Sequence, residues 1–329
     1  MHRRLACAVF LLVVPAASSR TFAQIVARKA RIGFVIEPPI DDAIQRSLIG
    51  SLRQGLRELG QIEGQHYVLE LRSANGKRDA LPEVIDEILK LPLDVLVAAF
   101  PATARVVRRA TTSVPVVAVA VDNPVETGLA ETMPRPGGNI TGISSWGTEL
   151  VAKRLQLLRD LLPTAKLVGV VAGREGATQS LLDAGMLEWG RALGLQVRVY
   201  EARDLKESEA AWKAMVRDGI AGVIVLADTN TYTNRARLNA LCLKHRLPSV
   251  WGGRDFLTGG ALASYQSDFP AIFKRAATLV DAILKGAKPG EIPFEQATKL
   301  ELVIDMRAAR ALGIVVPNAL LLAADQVIE

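Results

Sequence analysis

Ile32-Gly33-Phe34-Val35-Ile36, closed at once by Glu37-Pro38-Pro39, is the stretch on which the fold turns. A continuous apolar run closed by prolines reads as a strand buried on both faces, the signature of a parallel sheet covered by helices. The next segment reads as a helix: Ile44, Leu48, Leu52, Leu56 and Leu59 recur every three or four residues, and Gly60 stands where a helix ends. The alternation continues with strands expected at 67–71, 94–99 and 114–121. A helix at 81–89 carries Pro82 in its first turn, and another begins near Ala102.

The same order returns from Leu167-Val168-Gly169-Val170-Val171. A helix with Leu182, Met186, Trp189 and Leu193 on one face stops at Gly194, and strands come after it at 196–200, 221–227 and Ser249-Val250. Two runs of alternating strands and helices imply two doubly wound, open parallel sheets, an α/β class in which each run is one lobe. The length of 329 residues agrees, being about twice a usual domain of roughly 100–200 residues. The expected division is lobe 1 at 31–145 plus 266–290 and lobe 2 at 146–265. A C-terminal crossover with closing helices at 291–329 has its lobe left open. The crossings are expected at 142–146, at 263–267 and along the closing stretch from Phe294 through a strand at Leu300 to Ile304.

Met1-His2-Arg3-Arg4 is positive, and a short apolar run at 5–17 leads through Ser18 and Ser19 to Thr21-Phe22-Ala23. That is the pattern of a secretory signal peptide at 1–23, too short for the roughly 20 residues of a spanning helix. Cleavage after Ala23 would leave a periplasmic chain without membrane insertion and with a leader at 24–30. It would keep one cysteine, Cys242, set between leucines as a core residue. The net charge of +6 is scattered among acidic residues. The one dense cluster, Arg28-Lys29-Ala30-Arg31, reads as a solvated leader, and no basic stripe interleaved with aromatics suggests nucleic acid.

Catalytic chemistry finds little support. The mature chain holds only His66 and His245, the latter placed to end a helix, and no zinc-like or calcium-loop spacing occurs. Gly142-Ile143-Ser144-Ser145-Trp146 lacks the glycine that ends a nucleophile elbow, and no phosphate loop succeeds the first strand. The reading is therefore not an enzyme, with no metal and no cofactor.

In open α/β sheets ligands sit beyond the carboxyl ends of the strands, which makes the residues there the candidates. Phe100-Pro101-Ala102-Thr103 opens a helix whose free amides can hold a carboxylate, with the Thr103 hydroxyl as a further donor or as an ordinary helix-turn residue. Asp122 and Asp228 end equivalent strands, where each can accept from a ligand ammonium or cap the next turn. Trp146, Trp251 and Tyr265 lie in expected loops or crossings and can wall a ligand, whereas Trp189 and Trp212 fit helix faces. Together these residues favour a small zwitterion or carboxylate.

Taken together, several segments resemble the ABC transporter substrate-binding proteins that include the TrpX-like binders of aromatic amino acids. They are Leu52-Arg53-Gln54-Gly55-Leu56, Pro115-Val116-Val117, Asp122-Asn123-Pro124-Val125, Arg135-Pro136-Gly137-Gly138-Asn139-Ile140-Thr141-Gly142, Gly260-Ala261-Leu262-Ala263-Ser264-Tyr265 and Lys285-Gly286-Ala287-Lys288-Pro289. The resemblance implies the periplasmic-binding type I fold and a monomeric solute-binding component that works with separate permease and ATPase subunits. By matching position it places Phe100 to Thr103, Asp122, Asn123, Ser144, Ser145, Trp146 and Asp228 along the cleft. Glu37-Pro38-Pro39-Ile40-Asp41-Asp42 and Gly173-Arg174-Glu175-Gly176 depart from the family pattern at ligand-facing places. A ligand-sensing module for a membrane receptor is the alternative on the same fold.

Overall fold

The computed structural model describes residues 28–146, 149–173 and 185–329. The expected signal peptide, Arg174-Glu175-Gly176 and the start of the helix expected to carry Leu182 lie outside the described residues.

The first sheet is built from β1 (Ala30–Ile36), β2 (Tyr67–Ser73), β3 (Val95–Ala99), β4 (Val116–Asp122) and β5 (Ile140–Ser145), in the order β5-β4-β3-β1-β2 with every pair parallel. Ile32, Phe34, Val35 and Ile36 have no exposed surface, as a strand covered by helices on both faces requires. Helix α1 (Ala43–Glu58) starts where the Asp42 carboxylate accepts from the Ile44 amide at 2.8 Å, and it buries Leu48, Leu52 and Leu56. Helices α2 (Leu81–Leu89) and α3 (Phe100–Ala110) complete this half. The expected basic leader is partly structural: Ala30 and Arg31 open β1, and Arg28 pairs with Asp94 at 3.0 Å.

The second half repeats the pattern. In chain order it comprises helix α4 (Glu149–Leu161), β6 (Leu167–Ala172), α5 (Met186–Ala192), β7 (Gln196–Glu201), α6 (Leu205–Arg217), β8 (Gly222–Val225), α7 (Thr229–Thr233), α8 (Arg235–Lys244), β9 (Ser249–Trp251) and β10 (Ala263–Ser267). Trp212 and Cys242 are fully buried in the core of this lobe, and burial pushes the Cys242 thiol up to about 11. His245 caps the end of α8.

From β10 the chain crosses at Ser267 and Asp268 into α9 (Phe269–Leu284), which packs along α1. Gly55 makes that approach possible, since a Cβ there would lie 2.4 Å from the Lys274 carbonyl oxygen. Strand β11 (Glu295–Gln296) then joins β5 in the first sheet. Residues 297–299 return the chain to β12 (Leu300–Asp305), α10 (Met306–Leu312), α11 (Asn318–Ala323) and β13 (Gln326–Ile328), with β12 and β13 in the second sheet.

That sheet runs β13-β12-β10-β9-β8-β6-β7 and is not purely parallel, because β12 is antiparallel to β10. The reason lies in the path. Strand β10 ends at a crossing and β12 begins at one, with Leu300 opposite Ser267, so β12 can only run away from the hinge along its neighbour. The segments expected as crossings at 142–146 and 263–267 are accordingly mostly strand, β5 and β10, and the crossings proper come just after them.

The crossings are tied to one another. The Trp146 indole donates to the Ala297 carbonyl at 2.6 Å, the Ala297 amide to the Ser144 carbonyl at 2.8 Å, and the Asp268 amide to the Lys299 carbonyl at 3.0 Å. Among the described residues no helix is long and apolar enough to cross a membrane.

Candidate functional site

The carboxyl ends of both sheets face one cavity of about 320 Å³ between the lobes. Small-molecule sites usually span roughly 300–1,000 Å³, so this one suits a small solute. Its apolar wall comes from α1 (Ile44, Leu48), from Phe100 and Phe269, and from Leu226 and Phe256 of the second lobe. A wider groove of about 590 Å³ on the first lobe is lined by Ile40, Arg46, Arg53 and Arg72 but by nothing from the second lobe. Two of its arginines are already paired, Arg53 with Glu63 at 2.7 Å and Arg72 with Glu87 at 3.1 Å. Of the two, the interlobe cavity is the better site, because the ends of both sheets converge on it.

The backbone is strained around this cavity. Phe100 (φ 69°) and Ala120 (φ 56°) take left-handed conformations and both line it, and Asn123 (φ 24°) lies just past the end of β4. Such conformations cost about 1–3 kcal/mol each and persist where the surroundings enforce them. At Phe100 the enforcement is visible, since its ring packs 5.6 Å from Phe269 and 5.9 Å from Phe273. At Ala120 the register of β4 against β5 slips, a bulge that re-aims the strand end carrying Asp122.

Charged and polar groups complete the lining. Asp122 accepts from the Ser145 hydroxyl at 3.3 Å. Glu37, 5% exposed, is ion-paired to Arg78 at 3.2 Å. Arg154 on α4 donates through Nε to the Tyr265 carbonyl at 2.8 Å. Burial pulls its guanidinium down to about 10, partly offset by the negative charge of Asp122, so it remains a cation at neutral pH. Gln45 Oε1, Gln266 Oε1 and Ser267 Oγ are buried without a hydrogen-bond partner, and all three residues line the cavity.

Four of the residues singled out by sequence, Phe100, Asp122, Ser145 and Asp228, are brought together on this lining. Asp228 is there as a cap: its carboxylate accepts from the Thr231 amide at 2.9 Å and the Gly173 amide at 2.7 Å. Burial raises its pKa in spite of these bonds.

The other five are placed off the lining. Thr103 is fully buried on the inner face of α3, with its hydroxyl unpartnered. Trp251 belongs to β9, between β8 and β10, and its indole donates to Ser249 Oγ at 2.8 Å inside the core. Trp146 is committed to the crossing at Ala297. Tyr265 packs against the second-lobe core, and its carbonyl holds Arg154. Asn123 offers its carbonyl to the Thr127 amide at 3.0 Å.

Sequence reasoning missed Arg154 and Gln45. Each stands in an apolar stripe: Arg154 is four residues from both Leu150 and Leu158, and Gln45 is three from Leu48. A polar side chain at a core-facing position is the signal that could have found both. Among the described residues no group of three or more His, Cys, Asp or Glu is placed to hold a metal ion.

The sequence pattern of the family described as ABC transporter substrate binding protein matches residues 34–328. A tyrosine-binding protein of Clostridioides difficile (strain R20291) is 22% identical over 281 residues, covering 85% of this chain and 79% of that one. Among solved structures, a conserved domain protein from Vibrio cholerae superposes with a TM-score of 0.83 at 25% identity, over 91% of this chain and all of that one. An ABC domain from Streptococcus pneumonia in complex with L-Trp gives 0.82 at 21% identity, over 92% of this chain and all of its own.

Proposed function

The chain belongs to the ABC transporter substrate-binding protein family, and from that premise we propose that it is the extracytoplasmic component of an import system that closes on an amino acid. The observation that carries this reading is the interlobe cavity itself. Its walls are largely apolar, while Asp122 from the first lobe and Arg154 from the second set opposite charges on its lining. A zwitterion with an apolar side chain complements all three features, with its ammonium toward Asp122. The tyrosine-binding relative and the L-Trp-bound structure support the same class of ligand.

Binding is the whole of the chemistry in this reading. The lobes hinge at the three crossings, enclose the solute, and present the closed form to a permease powered by an ATPase. Export by the N-terminal signal would bring the chain to that membrane face. A thermal-shift screen across the twenty L-amino acids, with calorimetry on those that stabilise, tests the proposal. At a hundredfold excess over Kd a ligand stabilises by about 2.7 kcal/mol, enough to shift the transition clearly. An unchanged transition with every amino acid would overturn it.

A further inference from the structure

Arg154 is an arginine in the wrong place for a surface charge. It lies in the apolar stripe of α4 and is 6% exposed. Of its five N–H donors one is spent, Nε on the Tyr265 carbonyl. No carboxylate among the described residues comes within 4.0 Å of it. The charge of Asp122 reaches it only at longer range, a buried cation with no direct ion pair is costly, and arginine's terminal N–H pair is a planar fork shaped for a carboxylate.

A second unspent donor lies close by in the chain. Two residues beyond Tyr265, at the end of β10, the Ser267 hydroxyl is buried without a partner, and Ser267 lines the cavity together with Arg154. The lining also limits the charge of what can bind. Glu37, Asp122, Asp228 and Asp255 stand there with Arg78, Arg105 and Arg154. With four carboxylates against three guanidiniums, a dianion such as phosphate would add two like charges to a lining already negative, whereas a zwitterion adds no net charge.

We infer that Arg154 and Ser267 form the subsite that takes the carboxylate of the bound solute, in preference to the start of α3. The inference rests on the amino-acid reading only for the other half of the ligand. The subsite belongs to the second lobe and Asp122 to the first, so a zwitterion held at both poles spans the cleft, and its binding draws the lobes together.

The test uses the purified chain and three related probes: L-tyrosine, tyramine, which lacks the carboxylate, and 3-(4-hydroxyphenyl)propionate, which lacks the ammonium. Calorimetry is run on wild type, Arg154→Gln and Ser267→Ala, each checked for native folding by circular dichroism. Thermal shift with millimolar acetate and propionate against chloride at equal ionic strength extends the reach to weak binders. Wild type should bind or be stabilised by the carboxylates. Arg154→Gln should lose about ten- to a hundredfold in affinity for them, the range for a charged hydrogen bond, and Ser267→Ala about fivefold. Tyramine should not distinguish the proteins. Equal responses of wild type and Arg154→Gln to every carboxylate, including no response in either, overturn the subsite. Carboxylate responses that depend on Arg154, with none of the twenty L-amino acids bound, keep the subsite and overturn the amino-acid reading. Tyrosine binding that is indifferent to Arg154 does the reverse. If Arg154→Gln does not fold, Arg154→Lys, which keeps the charge and loses the fork, carries the comparison and should fall between the two.

Discussion

Asp42 at the start of α1 in the first lobe and Arg235 at the start of α8 in the second form an ion pair at 3.3 Å, joining the two lobes directly. The Tyr232 hydroxyl donates to the same carboxylate, and the Arg235 guanidinium lies 4.6 Å over the Tyr232 ring. Tyr232 lines the cavity but neither Asp42 nor Arg235 does, so the ion pair itself bears on closure without touching a ligand.

Asp42→Asn separates closure from folding. Asparagine keeps the N-cap and can still accept from Tyr232, but the ion pair is gone. Spin labels on the two lobes should report a larger open fraction, and ligand affinity should fall by about two- to tenfold, since only the closed population binds tightly. Arg235→Gln should do the same. Interlobe distances unchanged in both variants would remove the cluster from the closing mechanism.

The pH dependence of this contact has a definite sign. Burial pushes the Asp42 carboxyl up, but hydrogen bonds from Tyr232 and the Ile44 amide and the charge of Arg235 outweigh it, so its pKa is lowered. A lowered carboxyl pKa gives stabilisation that is fully present above the ordinary value of 3.8 and is lost as pH falls through the lower one. The distance distribution should therefore be flat from neutral pH down to about 4.5 and broaden only in stronger acid.

Asp228 carries the opposite sign. Its pKa is raised by burial, so the folded chain holds its proton more tightly than the unfolded chain, and this carboxyl adds stability as pH falls from neutral toward 3.8. Asp228→Asn keeps the cap on α7 and should abolish that part of the pH slope. Asp228→Ala should lose the cap, about 1 kcal/mol. Urea unfolding of the three proteins at pH 7 and pH 5 measures both effects.

Gly55 tests the seam between α1 and α9. Its absent Cβ would meet the Lys274 carbonyl oxygen at 2.4 Å and the Ala277 Cβ at 2.7 Å, and a helix backbone cannot step aside as a flexible side chain can. Gly55→Ala should cost about 1–3 kcal/mol by overpacking, even though alanine is the better helix former. A stability equal to or above wild type in urea would show that the seam can open at no cost.

The two sheets were legible because a parallel strand covered on both faces is written as a continuous apolar run, as at residues 32–36 and 167–171. The direction of β12 was not, since nothing local to Leu300 records on which side of the hinge its strand begins. Trp251 reads as a loop aromatic because the strand read at Ser249-Val250 stops one residue short of it, whereas β9 runs through Trp251. At Asp228 the sequence held both roles, ligand acceptor and cap, and only the amides of Gly173 and Thr231 show that capping uses its carboxylate. Arg154 was passed over for a physical reason: a single arginine beside a lysine reads as solvent-facing until its spacing from Leu150 and Leu158 is counted.

Asp122 decides the cationic half of the ligand. It ends β4 just beyond the bulge at Ala120, accepts from Ser145 at 3.3 Å and lines the cavity, where its charge is felt by Arg154. If it receives the solute's ammonium, Asp122→Ala should weaken L-tyrosine about ten- to a hundredfold, the worth of a charged hydrogen bond of about 1.5–3 kcal/mol. The same variant should leave 3-(4-hydroxyphenyl)propionate unchanged or bind it more tightly, because one negative charge has left a cavity that must accept another. Calorimetry on both ligands, with folding matched by circular dichroism, separates the cases. Parallel losses for the two would make Asp122 a support for Ser145 and the end of β5, whereas a loss confined to the ammonium-bearing ligand makes it the acceptor.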